Sequence, residues 1–367
     1  MGSKTILFCD NTLWGLLNFR GGVIRYFITK GYKVILVAPQ DSLSDLSGIP
    51  VECHYIPIHL NRTGTNPIKD IRYYCQLYRI YKIIKPDYIF HYTIKPNIYG
   101  SIAAHTLHIR HSAMIAGLGH VYVTRNVGNY VARMMYKYAM RFPERVMVLN
   151  KSNYQTLLSH KVVAKEKLMW LKGGEGVDLT KFSSVSLPNH SKPIFLMICR
   201  LLYEKGYAEY IAAATKLKGQ AEFRIMGPID THPSAVPRSS IEEATRRGII
   251  TYIAYTPDVI SQISEADCIV LPSYGEGLSR VLMEGLAMGR IIVATDIPGC
   301  RETVLESKNG YLCAPKSATS LAEALNRVIQ LSPQERIQMG KASRQLAEEL
   351  FDEQIVIRQY EQILHGI

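Results

Sequence analysis

The chain has 367 residues, 47% of them hydrophobic and 20% charged. That composition excludes a disordered or low-complexity protein and leaves room for two cores, one in each of two domains of about 170–190 residues. A net charge of +12, from 43 basic and 31 acidic side chains, favours polyanionic partners such as anionic lipid headgroups, phosphorylated small molecules or nucleic acid.

Met1-Gly2-Ser3-Lys4 leads straight into an apolar strand, without the long apolar run and small-residue cleavage site of a secretory signal. Strand candidates follow at 4–9, 33–38, 52–58, 87–92, 111–116, 145–149 and 167–171, with helical segments near 20–30, 67–84, 97–108, 127–141 and 151–160. The polar, proline-containing stretch 183–193 reads as an interdomain linker. A second series then begins, with strands at 194–199, 221–227, 250–254, 267–272 and 290–294. Its helices fall at 205–218, 238–247, 257–265, 279–288, 317–331 and 333–349, and a last helical segment covers 352–366. Strand and helix in alternation predict parallel sheets covered on both faces. The expected architecture is α/β, two Rossmann-like doubly wound domains facing a cleft: 1–185, 191–350, and a C-terminal helix over 351–367 returning toward the first domain. No apolar run approaches the ~18 residues of a spanning helix, so membrane contact is expected to be peripheral. The cysteines Cys9, Cys53, Cys75, Cys199, Cys268, Cys300 and Cys313 form no CxxC pair. They offer no metal-site spacing and fit a reducing, cytoplasmic setting.

Ligands in doubly wound sheets bind beyond the carboxyl ends of the strands, so the residues just after each strand carry the interest. After the first strand stands Asp10-Asn11-Thr12-Leu13-Trp14-Gly15-Leu16-Leu17-Asn18-Phe19-Arg20-Gly21-Gly22. It is not the GxGxxG of a nicotinamide enzyme. Gly21 and Gly22 would let backbone approach a phosphate at a helix start, and a plain capping role for the loop is equally open. His91 and Lys95 follow the fourth strand, and Gly117-Leu118-Gly119-His120 the fifth. A lone histidine is more often a satisfied structural residue than a ligand.

In the second half, Arg200 and Lys205 follow a strand end. They are either two solvated cations or a pair that neutralises a leaving diphosphate. Then comes Leu271-Pro272-Ser273-Tyr274-Gly275-Glu276-Gly277-Leu278-Ser279-Arg280-Val281-Leu282-Met283-Glu284. A strand runs into a small-residue loop and a helix whose first backbone N–H groups form an anion site. Glu276 and Glu284 read either as structural carboxylates or as acceptors for ligand hydroxyls.

The two glutamates eight positions apart, the phrase Ala294-Thr295-Asp296-Ile297-Pro298-Gly299-Cys300-Arg301-Glu302-Thr303-Val304, and Asn309-Gly310-Tyr311-Leu312-Cys313-Ala314-Pro315 together resemble the donor site of retaining GT-B glycosyltransferases. Asn18-Phe19-Arg20 and the segment around His91 and Lys95 resemble the branch of glycosyltransferase family 4 that builds lipid-linked polysaccharides. Ala116 departs from it, where relatives carry His or a small polar residue before Gly-Leu-Gly. The resemblance implies that Glu284 binds the donor ribose and Glu276 faces the transferred sugar. It implies that Arg200 and Lys205 hold the diphosphate, without a metal or other cofactor, and that the amides of Gly277, Leu278 and Ser279 meet phosphates or sugar hydroxyls. Asn18, Arg20, His91, Lys95 and His120 would lie on the acceptor side.

The expected reaction is transfer of a hexose or N-acetylhexosamine from a UDP-sugar to a polyprenyl-diphosphate-linked saccharide at the cytoplasmic face of a bacterial inner membrane. Rival readings are a sugar-nucleotide 2-epimerase and a catalytically silent, membrane-associated partner. Nucleic-acid binding, suggested by charge alone, lacks a reading motif. The stretch Arg125 to Lys151, with Arg133, Lys137 and Arg141 among Met134, Met135 and Tyr138, is either a solvated helix with a core face or an interfacial helix for an anionic membrane.

Overall fold

The computed structural model describes residues 3–41, 46–61, 66–117, 127–188, 190–230 and 232–366. The chain divides into two compact units, Met1–Glu175 with Glu353–Ile367, and Gly176–Asp352.

In the first unit the strands are β1 (Thr5–Cys9), β2 (Lys33–Ala38), β3 (Cys53–Pro57), β4 (Tyr88–Tyr92), β5 (His111–Ile115), β6 (Arg145–Val148) and β7 (Leu168–Trp170). They form one sheet in the order β3-β2-β1-β4-β5-β6-β7, and neighbours pair in parallel throughout. β1, β4 and β5 are buried almost along their whole length because both faces are covered. On one face Leu7, Ile35 and Ile89 meet Tyr73, Leu77 and Tyr81 of the helix Pro67–Ile84, and Val146 and Val148 meet Tyr136 and Met140. On the other, Phe90 stacks near Phe27 of the helix Leu13–Thr29 and lies 5.0 Å from Tyr360 of the C-terminal helix Glu353–His365.

The helix after β1 starts at Leu13, well before the expected residue 20, because the Thr12 hydroxyl accepts from the Gly15 amide at 2.9 Å and caps it.

The second unit holds β8 (Ile194–Ile198), β9 (Glu222–Met226), β10 (Thr251–Ile253), β11 (Cys268–Leu271), β12 (Ile291–Thr295) and β13 (Gly310–Cys313), in the order β10-β9-β8-β11-β12-β13. These pairs too are parallel. β13 was not among the expected strands, since its four residues open on a glycine and carry no long apolar run.

The polar stretch expected as the linker belongs to this unit, and the chain passes between units at Glu175–Gly176 instead. The cause is Arg290, fully buried, whose guanidinium donates to the carbonyls of Val185 (2.7 Å), Ser186 (3.2 Å) and Ala266 (3.0 Å). Burial pushes its pKa down to about 10, and the carbonyls supply the bonds that a carboxylate otherwise would.

In each sheet the strand order reverses once, between β1 and β4 and between β8 and β11. Those switch points are where open α/β sheets leave a crevice.

Candidate active site

At the switch point of the second unit, β8 feeds the turn Arg200–Gly206 and β11 feeds the loop Pro272–Ser279. Backbone bonds lock the two together. The amide of Tyr274 donates to the Glu204 carbonyl at 2.9 Å, and the amide of Ser279 to the Gly299 carbonyl at 3.0 Å. Gly206 has φ +82°, and a Cβ there would stand 2.1 Å from the Pro272 carbonyl oxygen. Gly299, at φ +88°, lies under the loop, where a Cβ would meet the Glu276 and Gly277 carbonyl oxygens at 2.7 Å. Only glycine fits either place without moving the loop.

This bracing brings Lys205 and Glu276 together. The ammonium donates to Glu276 Oε1 at 2.6 Å, with the side chains 20% and 14% exposed. Burial works against the lysine charge, but the carboxylate outweighs it and leaves the Lys205 pKa above its ordinary value. Arg200, near enough to act the other way on Lys205, points its Nη1 at Asp230 Oδ2, 3.3 Å away, and is 54% exposed.

The helix Arg280–Ala287 opens beside this pair. Ser279 occupies the N-cap position but makes no side-chain cap bond, and no acidic residue stands in the first turn. Its N-terminal dipole faces no carboxylate from its own first turn. Leu278 and Ser279 are buried. Glu284, on the same helix, takes the Arg280 Nε bond on Oε1 at 2.9 Å, while Arg280 Nη1 donates to the Gly176 carbonyl at 2.6 Å. Burial raises the Glu284 pKa, opposed by Arg280 and Lys181.

Arg280 and Asp230 did not stand out in the sequence. The signals were there: Arg280 precedes Glu284 by four residues on one helix, the spacing at which side chains meet, and Asp230 follows β9, in another loop at a strand's carboxyl end.

The first unit treats its expected residues differently. Gly21 and Gly22 do not stand at a helix start. They sit inside the helix Leu13–Thr29, and a Cβ on Gly22 would fall 2.1 Å from Glu353 Oε2. Gly22 admits the C-terminal helix rather than a phosphate.

Arg20 is not displayed in a loop either. It is buried, 2.7 Å from Glu175 Oε1, with its guanidinium carbon 4.4 Å from the centre of the Tyr92 ring. Burial opposes the charge, but Glu175 and Asp10 hold it, and the net pKa is raised. Glu175 did not stand out in the sequence, where it lies among Gly173, Gly174 and Gly176. Asn18 is exposed and bonds the Trp14 carbonyl one turn back at 3.0 Å.

His91 is wholly buried, its Nε2 2.9 Å from the Tyr81 hydroxyl. Burial drives its pKa well down, which favours the neutral ring in the core. Lys95 pairs with Asp70 at 2.6 Å. Thr93, just after β4, holds φ +65°, a costly conformation for a β-branched residue, and its hydroxyl donates to Asp10 Oδ1 at 3.2 Å. His120 and Arg125 lie outside the described residues.

The helix Val127–Ala139 has two sides. Tyr136 and Ala139 enter the core and Met135 packs against it, whereas Tyr130, Val131, Met134 and Tyr138 are more than half exposed. Met135 therefore does not belong to an outward face. Among the described residues no helix is long and apolar enough to cross a membrane.

Comparison with known proteins brings in two family models. Residues 179–346 match "Glycosyl transferases group 1" and residues 5–150 match "Glycosyl transferase 4-like". The N,N'-diacetylbacillosaminyl-diphospho-undecaprenol alpha-1,3-N-acetylgalactosaminyltransferase of Campylobacter jejuni is 27% identical over 367 residues, with 94% of each chain covered. The putative colanic acid biosynthesis glycosyltransferase WcaL of Escherichia coli is 29% identical over 204 residues, 52% of this chain and 50% of its own. Among solved structures, a glycosyltransferase of Rickettsia africae superposes with a TM-score of 0.81 at 20% identity, over 100% of this chain and 99% of its own. Anabaena HepE, solved in complex with UDP, superposes with a TM-score of 0.77 at 17% identity, over 99% of this chain and 100% of its own.

Proposed function

The chain belongs to the glycosyltransferases of the GT-B fold, and from that premise we propose that it transfers an N-acetylhexosamine or hexose from a UDP-sugar to a hydroxyl of a polyprenyl-diphosphate-linked saccharide, with retention at the anomeric carbon, in assembly of a bacterial surface glycan. The observation that carries the donor half is the Lys205–Glu276 pair beside an uncapped helix start at a switch point. The Campylobacter relative's lipid-linked acceptor supports the acceptor half. UDP is the nucleotide of choice because a protein of like fold holds it.

In this reading Glu276 is a stand-in counter-ion. The donor diphosphate takes its place on Lys205, with Arg200 beside it, and frees the carboxylate for hydroxyls of the transferred sugar. The amides of Gly277 and Leu278 meet phosphate or sugar oxygens, while that of Ser279 stays on the Gly299 carbonyl and holds the loop. Glu284, aimed by Arg280, accepts from the ribose. The anomeric carbon–oxygen bond to the diphosphate breaks while the acceptor oxygen bonds on the same face, its proton passing to a leaving phosphate oxygen. Fixed cations and backbone donors serve the developing charge, and no metal is required.

The acceptor is bound to a bilayer, so the enzyme docks peripherally at its cytoplasmic face. Support comes from the outward side of Val127–Ala139, where Met134 and Tyr138 stand among Arg133 and Lys137.

The test is transfer from a panel of UDP- and GDP-sugars to a short-chain polyprenyl-diphosphate saccharide, with EDTA in excess, and the anomer read by NMR. An α-linked product from an α-UDP-sugar is expected, at undiminished rate in EDTA. Epimerisation of the free donor without transfer, an inverted product, or loss in EDTA restored by Mg²⁺ would each overturn the corresponding part.

A further inference from the structure

At the far end of the helix Val127–Ala139 from the switch point, a pocket of about 370 Å³ is lined by Lys137, Arg141, Lys161 and Lys165, with Leu158 and Val162 in its wall. The helix precedes β6 and runs back against the strand direction, so its C-terminal end and the 161–165 turn lie at the amino ends of the strands. The pocket is thus separate from any site at the carboxyl ends. Among the described residues none of the four cations forms an ion pair. The acids close by in sequence are spent or turned elsewhere: Glu144 pairs with Arg110, and Glu166 is exposed with its carbonyl on Arg145. Four unpaired cations around one concavity repel one another, and an anion seated among them removes that repulsion. The apolar wall and the exposed Met134 and Tyr138 of the same helix make the surroundings amphiphilic.

We propose that this pocket binds the headgroup phosphate of an anionic phospholipid, so that docking is through a defined phosphate site as well as through general charge. The inference rests on the membrane-docking part of the proposed function. The phosphate sits among Lys137, Arg141, Lys161 and Lys165, and Tyr138 and Met134 enter the lipid beside it.

Amine footprinting of the full chain, read at single lysines by mass spectrometry, tests it together with vesicle co-sedimentation. The probes are phosphatidylcholine vesicles with and without phosphatidic acid, and inorganic phosphate. Vesicles containing phosphatidic acid should protect Lys161 and Lys165, and Lys161→Glu with Lys165→Glu should cut sedimentation roughly tenfold or more. Met134→Asp with Tyr138→Asp should weaken sedimentation while inorganic phosphate still protects the two lysines. If the wild type sediments and Lys161 and Lys165 stay fully labelled, the pocket is overturned and docking stands. If inorganic phosphate protects them and no vesicle binds, the lipid source and the docking reading both fall. If nothing protects them and nothing sediments, pocket and docking fall together.

Discussion

The two units share a topology and differ in what they do with charge at the point where the strand order reverses. In the second unit Lys205 and Glu276 pair with a fifth to a seventh of each side chain still open to solvent. In the first, Arg20 and Glu175 pair at 3% and 9% exposure under Tyr92, and His91 is sealed in the core. Both pairs are short, but only the Lys205–Glu276 pair keeps a way open to solvent. Position after a strand marks where a site can be, and residual exposure decides whether the charge there serves a substrate or the fold.

That contrast can be broken by substitution. Arg20→Met breaks a buried ion pair by removing its cation, a change that costs about 3–5 kcal/mol, so thermal unfolding should come on the order of 10 °C lower. The fraction that folds should keep its kcat. Adding Glu175→Leu should recover much of the loss, and a fall in kcat without a fall in Tm would assign Arg20 to the chemistry. In the second unit the pattern should invert. Lys205→Ala and Arg200→Ala should each lower kcat/KM by about 10²-fold or more with Tm nearly unchanged, because an open charge contributes to the transition state and little to folding. Near-wild-type turnover in both would remove the pair from the mechanism. The smallest effect belongs to Glu284→Gln. Loss of a charged acceptor should weaken UDP itself roughly tenfold or more in a calorimetric titration, and unchanged UDP affinity would leave Glu284 as no more than the partner of Arg280.

The parallel sheets were legible because runs such as Val34–Ala38 are apolar without alternation, which a sheet with a wet face does not tolerate. The residues expected around a donor were legible as a group because they follow two strand ends, and the structure puts Lys205 of one against Glu276 of the other. What sequence could not show was direction. Gly21-Gly22 looks the same whether it opens a helix or lies within one, and only the Thr12 cap and the approach of Glu353 from the other end of the chain decide it. The reach of Arg290 back to Val185, 105 residues away, likewise moved the apparent linker into the second unit.

The strand order and pairings of the first unit are set by residues before 176, yet its last helix is Glu353–His365. Tyr360 of that helix is buried, with its hydroxyl 3.1 Å from that of Tyr92, and Val356, Ile357 and Ile363 are buried with it. The second unit is therefore an insertion within the first, and the order of synthesis is not the order of completion. A nascent chain has the whole of Gly176–Asp352 before it has the helix that closes over Phe90. Until that helix emerges, the first unit presents an open aromatic face, and a chain cut before Glu353 keeps it open.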